Sequence, residues 1–291
     1  MDKNFKKIAL IGYPKNTDVI ATIKSLYSWL TNKNVEILLD QRLSNIEGLD
    51  SEFYALDLIG SSADLAIIIG GDGVMLNAAR VLSKFDISVI GINKGNLGFL
   101  TDISPENYHT EINGVLAGDY YSENRFLLSF SILRDNKFII NKVALNEVVL
   151  HPIQIANLIE FDVFVNKRFL FNQRSDGLIV ATPTGSTAYS LSGGGPIISP
   201  NLNAITLVPK FPHTLSSRPI VISADNTINL KITSDKNPLA ITFDGHETIP
   251  LQRNDQVIIK KSKHTLNLIH PNSYDYYNVL RNKLGWSNKF F

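Results

Sequence analysis

The feature that most constrains this chain is a strand–glycine–helix junction. Leu65–Ile69 (LAIII) is a continuous apolar run, as expected of a parallel strand covered on both faces. Gly70-Gly71-Asp72-Gly73 follows at once, and from Val74 to Lys84 the pattern is helical. A hairpin turn at Asp-Gly would need an alternating strand on its far side, and none follows. The junction therefore predicts a βα unit inside an open sheet. Its neighbours agree: strands at Lys7–Ile11, Val35–Leu39 and Ile87–Ile90, and a helix carrying Val19, Ile23, Leu26 and Leu30 on one face. Asn16 or Thr17 is available to cap that helix. Ser104-Pro105-Glu106 reads as another helix start, with Tyr108, Ile112 and Val115 on one face and Gly118 as its stop. Alternation of this kind predicts an α/β domain with an open, mostly parallel sheet over residues 1–121.

Near Tyr121 the period changes to two. Phe126, Leu128, Phe130 and Ile132 alternate with other residues, as do Phe161, Val163 and Val165, then Ile228, Leu230 and Ile232, then Leu239, Ile241 and Phe243. Residues 122–270 are expected to form a mostly-β, sandwich-like domain. Tyr276, Tyr277, Leu280 and Leu284 return to helical spacing, with Ser273 upstream as an N-cap. This predicts a final helix in residues 271–291 that returns to the first domain.

Composition excludes several classes. The 291 residues include no cysteine, which removes disulfides, thiolate metal sites and a cysteine nucleophile. Lys plus Arg (28) against Asp plus Glu (27) leaves a formal charge of +1, without the basic excess of a nucleic-acid binder. The uncharged stretch Gly177–Pro209 is long, but its Gly, Pro, Ser and Thr content argues against a membrane span. The N-terminal apolar run is broken by Tyr13, Pro14 and Lys15, unlike a signal peptide. A cytoplasmic protein is expected.

Three blocks carry chemistry. Glycines before a helix let backbone N–H groups crowd a phosphate, so Gly70, Gly71, Asp72 and Gly73 form a candidate phosphate loop. Asp72 is the informative member. A carboxylate 4 Å from a phosphate charge is repelled by ~4 kcal/mol at an effective dielectric near 20. A metal ion, or a hydroxyl whose proton Asp72 accepts, would compensate, and both point to phosphoryl transfer. Asn146-Glu147, within ALNEVVL, pairs an amide with a carboxylate, suited to an adenine edge and a ribose diol. Strand neighbours face opposite sides, so both can meet one ligand only at a strand end or bulge. The third block runs from Arg174-Ser175-Asp176-Gly177 into Thr182–Pro196 (TPTGSTAYSLSGGGP), whose hydroxyls and glycines suit a neutral base or amide. The usual Walker, dinucleotide, serine-hydrolase and zincin signatures are missing.

Together these blocks resemble the NAD kinase family, most closely its bacterial form. Gly91–Leu100 (GINKGNLGFL) and Phe211–Leu215 (FPHTL) also look like family sequence, and the likeness runs from about residue 5 to Leu284-Gly285-Trp286. The resemblance implies transfer of the ATP γ-phosphoryl group to the 2′-hydroxyl of the adenosine ribose of NAD, giving NADP. Asp72 would accept the proton, with Gly73 beside it. Asn146 and Glu147 would hold the adenosine half. Asp176, Thr187, Ala188, Tyr189, Ser190, Leu191 and Ser192 would line the dinucleotide site, and Arg174 would contact the pyrophosphate or a neighbouring subunit. A divalent cation such as Mg²⁺, with ATP as donor, and a homo-oligomer, dimer or tetramer, are further implications. The sequence departs from the family at Val74, where many members carry Thr, and at His246, where Gln is frequent. Asn157 occupies a variable position. His246 and Asn157 are carried as substrate contacts. A lipid kinase sharing the GGDG loop and a non-catalytic dinucleotide sensor are the competing readings. The first would need an acyl groove, and the second would tolerate Asn at position 72.

Overall fold

The structure is a computed structural model that describes residues 5–95, 98–154, 158–214, 216–233 and 238–286. The described residues up to Asn124 and from Leu266 onward form one compact unit, and Arg125–Thr265 the other.

The first unit contains β1 (Lys7–Gly12), α1 (Thr17–Thr31), β2 (Glu36–Asp40), β3 (Phe53–Tyr54), α2 (Leu56–Ser62), β4 (Leu65–Ile69), α3 (Asp72–Leu82), β5 (Ser88–Ile92) and α4 (Tyr108–Leu116). Its strands are parallel in the order β3-β2-β1-β4-β5. Both β4 and β5 are buried along their whole length, which is why they read as unbroken apolar runs. The strand order reverses between β1 and β4, and ligands of such sheets collect outside the carboxyl ends at that point. The glycine loop after β4 lies at one of those ends. Helix α1 begins at Asn16, whose side chain accepts from Val19 N at 2.9 Å. It buries Val19, Ile23, Leu26 and Leu30, each worth about 1.5–3 kcal/mol relative to exposure.

The second unit takes in β6 (Tyr120–Arg134) from Arg125 onward and holds β7 (Lys137–Ala144), β8 (Glu147–Pro152), β9 (Ile159–Val165), β10 (Arg168–Ser175), β11 (Gly177–Ala181), α5 (Tyr189–Ser192), β12 (Ala204–Lys210), β13 (Ile220–Ser223), β14 (Ile228–Ile232), β15 (Leu239–Phe243), β16 (Glu247–Leu251) and the first part of β17 (Gln256–Pro271). One antiparallel sheet runs β13-β12-β11-β8-β15-β16, and a second contains β10-β9-β14-β17. Phe130, Leu150, Phe161, Val180, Leu230 and Ile241 share one core. Alternate residues of the central strands, Val149, Ile179 and Ala181, pack with Val208 in a separate cluster, so β8 and β11 are covered on both faces.

The end of β17 belongs to the first unit, where Asn267 and Leu268 pair in parallel with Ser88 and Val89 of β5. Helix α6 (Tyr276–Leu284) follows and buries Val279 and Leu280. Ser273 donates to Glu111 of α4 at 3.1 Å, and Asn272 hydrogen-bonds Asp119.

Three helix starts and several strand ends differ from the sequence expectation. Ser104–Asn107 is turn, and α4 begins only at Tyr108. The final helix is capped by Asp275, which accepts from Tyr277 N at 2.8 Å, whereas Ser273 is spent on Glu111. Helix α3 starts two residues early, at Asp72, because Gly71 in an extended conformation serves as N-cap. Strands β2 and β5 lie one to two residues later than expected. The short β3 and α2 carried no periodic signal and were not anticipated.

Candidate functional site

In the first unit the site is the glycine loop. Gly70 has φ +151°, and a side chain there would press on Val74. Gly71 and Gly73 have open space where a Cβ would project. Their missing side chains relieve no internal crowding, and they leave the N-terminus of α3 approachable by a phosphate.

Asp72 lies in the first turn of α3, where the helix dipole favours its charge. Within the chain, three donors hold the Asp72 carboxylate in place. Asp72 Oδ2 accepts from Phe99 N at 2.9 Å, and Oδ1 accepts from Leu100 N and from Thr101 Oγ1, both at 3.1 Å. Gly98 makes this approach possible, since a Cβ there would overlap Asp72 Oδ1 and Thr101 Oγ1. Sequence reasoning missed this segment as a partner of Asp72. The glycine pattern around it was the available signal.

In the second unit, Asn146 and Glu147 sit where β8 begins, at the strand end that adjacent residues need to share a ligand. The bend is fixed by Asp244, 97 residues on, whose carboxylate accepts from Leu145 N (2.9 Å), Asn146 N (2.8 Å) and Glu147 N (3.2 Å). Asp244 has φ +47° and Gly245 φ +61°, the left-handed pair of a tight hairpin turn. From the other side, Thr182 donates to Leu145 O at 2.6 Å and its N–H to Asn146 O at 2.9 Å. Gly185 packs so close to the Asn146 carbonyl that a Cβ would overlap it.

Glu147 is buried, and Tyr189 N–H donates to its carboxyl group. Burial first, and the negative Asp244 second, push its pKa from 4.5 up to about 8, against the Tyr189 bond that lowers it. Glu147 Oε2 and Asn146 Oδ1 are both buried with no hydrogen-bond partner among the described residues. Buried polar atoms are nearly always satisfied, so this pair is shaped for something that comes from outside.

The hydroxyl-rich segment divides its work. Thr182, Ser186 and Thr187 bond their own backbone surroundings, which stiffens the turn and leaves less for a ligand than composition suggested. Ala188 and Leu191 are half-buried, Ser192 is exposed, and Ser190 Oγ is buried without a partner among the described residues. The Tyr189 ring is exposed, with Lys210 Nζ 5.0 Å from its centroid. Lys210 also pairs with Gly177, and its carbonyl accepts from Asp176 N at 3.0 Å. Tyr189 thus connects the Glu147 end of β11 to the Asp176 end. Asp176 is half-buried and Arg174 exposed on β10. His246 is exposed in the hairpin turn two residues past Asp244, its ring edge-on to Phe243. Asn157 lies outside the described residues. Asp244 and Lys210 were not among the sequence candidates.

No group of three or more His, Asp or Glu side chains that could hold a metal occurs among the described residues. A cation carried by nucleotide phosphates needs only one or two protein carboxylates, because Mg²⁺ keeps several waters. Asp72, beside an approachable helix N-terminus, fits that limited demand. No described helix is long and apolar enough to cross a membrane.

Glycine loop, carboxylate and switch-point sheet in one unit, with a β-rich second unit, define a nucleotide-dependent phosphotransferase. Residues 8–120 match the ATP-NAD kinase N-terminal domain and residues 145–271 the ATP-NAD kinase C-terminal domain. An NAD kinase of Photorhabdus laumondii is 52% identical over 292 residues, covering 100% of both chains. Yeast NADH kinase, solved with NADH, superposes with a TM-score of 0.89 at 23% identity, over 99% of this chain and 90% of that one. An NAD kinase from Archaeoglobus fulgidus, solved with ATP, gives 0.74 at 25% identity, over 97% and 100%. The chain belongs to the ATP-NAD kinase family, and it is an enzyme that phosphorylates NAD with ATP. The lipid-kinase and sensor readings are not favoured.

Proposed function

We propose that Asp72 accepts the proton of the adenosine 2′-hydroxyl of NAD as that oxygen attacks the γ-phosphorus of ATP. The new O–P bond forms as the bond to the β-phosphate oxygen breaks, and the electron pair leaves with ADP. A carboxylate is too weak a base to ionise the alcohol beforehand, so it orients the hydroxyl and takes the proton late. A bound divalent cation, Mg²⁺ by its chemistry, supplies neutralisation of phosphate charge. Backbone N–H groups at Gly71 and Gly73 and the α3 dipole hold phosphate oxygens.

The observation that carries the substrate assignment is the unpartnered buried pair, Glu147 Oε2 and Asn146 Oδ1. They bind the adenosine half, Glu147 at the ribose diol and Asn146 at the base. Thr187–Ser192 form the wall, with the Tyr189 ring as stacking surface, and Asp176 completes the dinucleotide pocket. Arg174, exposed on β10, meets the pyrophosphate or a second subunit. His246 contacts substrate from the hairpin turn, and Asn157 is assigned the same role by resemblance alone. The active form is a cytoplasmic homo-oligomer. Residues 1–121 carry the glycine loop, 122–270 the dinucleotide site and 271–291 the returning helix.

Asp72→Asn tests the reading. Turnover is expected to fall by several orders of magnitude, while NAD binding, followed by calorimetry, stays within about threefold. Turnover equal to that of the wild type would refute the proton-acceptor role.

A further inference from the structure

Asp72 is approached from a buried polar chain that the phosphoryl-transfer reading does not use. Thr101 and Asn93 are both buried. Asn93 Nδ2 lies 3.3 Å from Thr101 O and 3.0 Å from Thr101 Oγ1. A carbonyl only accepts, so the nitrogen of the Asn93 amide must face Thr101. That amide therefore donates to the Thr101 hydroxyl as well. The hydroxyl has one proton to give, and it lies 3.1 Å from Asp72 Oδ1. Directionality is fixed along the whole chain: Asn93 donates to Thr101, and Thr101 donates to Asp72. Leu100 N–H adds a second donor to Oδ1, whereas among the described residues Oδ2 receives Phe99 N–H alone. The two oxygens of one carboxylate are thereby made unequal.

From this geometry we infer that Thr101 is a positioning residue for the phosphoryl transfer, and that it turns Asp72 so that Oδ2 is the oxygen that receives the proton. Among the described residues Oδ1 takes two donors and Oδ2 one, which leaves Oδ2 the oxygen with a lone-pair direction to offer. The backbone donors of Phe99 and Leu100 fix where the carboxylate sits. The Thr101 hydroxyl, together with the Leu100 N–H, holds Oδ1 against rotation about the Cβ–Cγ bond, and Asn93 keeps that hydroxyl from turning away. Gly91 supports the arrangement from β5, since a Cβ there would come within 2.7–2.9 Å of Thr101 and the Leu100 carbonyl. The inference rests on Asp72 being the proton acceptor.

The test compares Thr101→Val, Thr101→Ala and Thr101→Ser in the full-length protein. Loss of a hydrogen bond to a charged group predicts a fall in kcat of about ten- to a hundredfold for Val and Ala. KM for NAD and for ATP should stay within about threefold, because position rather than binding is lost. Ser, which keeps the hydroxyl, should recover kcat to within about threefold of wild type. The effect should vanish in an Asp72→Asn background, where Thr101→Val costs no further activity. Wild-type kcat in both Val and Ala, a Ser variant as slow as Val, or a full additional loss in the Asp72→Asn background would each overturn the inference. The underlying reading fails separately, through a fully active Asp72→Asn enzyme. A crippled Asp72→Asn beside an unaffected Thr101→Val removes only the role of Thr101.

Discussion

Replacing Glu147 by Gln should change how stability depends on pH, by an amount that follows from its surroundings. In the unfolded chain this carboxyl loses its proton near 4.5, and in the folded protein it keeps it to about 8. Between those values the folded state holds one proton more, so stability falls as pH rises across the window. The stabilisation from the neutral acid is complete below 4.5 and is lost as pH passes about 8. The slope approaches about 1.4 kcal/mol per pH unit, which sets a ceiling of about 5 kcal/mol over the window. Water drawn in beside the ionised group screens it from Asp244, and about 2–5 kcal/mol is the expected range. Gln has nearly the same shape and no proton to lose. Urea unfolding of both proteins at pH 5, 7 and 9 gives the difference directly, and titrations common to both cancel. The wild type should lose ground steadily to Glu147→Gln from pH 5 to 8 and stay level with that loss at 9. A stability difference that is the same at all three values would refute the argument that burial, with Asp244, governs this side chain.

The same substitution should raise KM for NAD more than KM for ATP, and a larger effect on ATP would count against Glu147 at the ribose. Gly185→Ala places a methyl group 2.2 Å from the Asn146 carbonyl oxygen. Strain of this kind costs about 1–3 kcal/mol. A lowered melting temperature with at least a tenfold weaker NAD affinity is therefore expected, and an unchanged melting curve would show that the turn yields freely.

Much of the framework was legible because single elements carry their own signal. LAIII announces a strand buried on both faces, and the apolar positions of α1 fall at helical spacing within 15 residues. Element starts were harder where two residues compete for one role. Ser104-Pro105 has the composition of a helix start, yet Asn107 precedes the first helical residue. Ser273 suits a cap, but its hydroxyl is drawn to Glu111, and Asp275 caps instead. Long-range partners left no local trace. Asp244 reads as an ordinary Asp-Gly turn until the fold brings it under Leu145–Glu147, and nothing near Asp72 indicates that Phe99, Leu100 and Thr101 will donate to it. The hydroxyls of the TPTGST turn were countable, but which face inward is decided by packing against the Asn146 bend.

The interleaving of the two units has a consequence for biosynthesis. Arg125–Thr265 is one uninterrupted stretch, so all of its strands are synthesised before Leu266 and the residues that follow it. The glycine-loop unit is split, and its sheet waits for Asn267 and Leu268 to join β5. On the ribosome the usual N-terminal-first order is thus reversed for final packing. The unit that starts later in sequence has all its strands first, and the glycine-loop unit keeps an open β5 edge until Asn267 and Leu268 emerge.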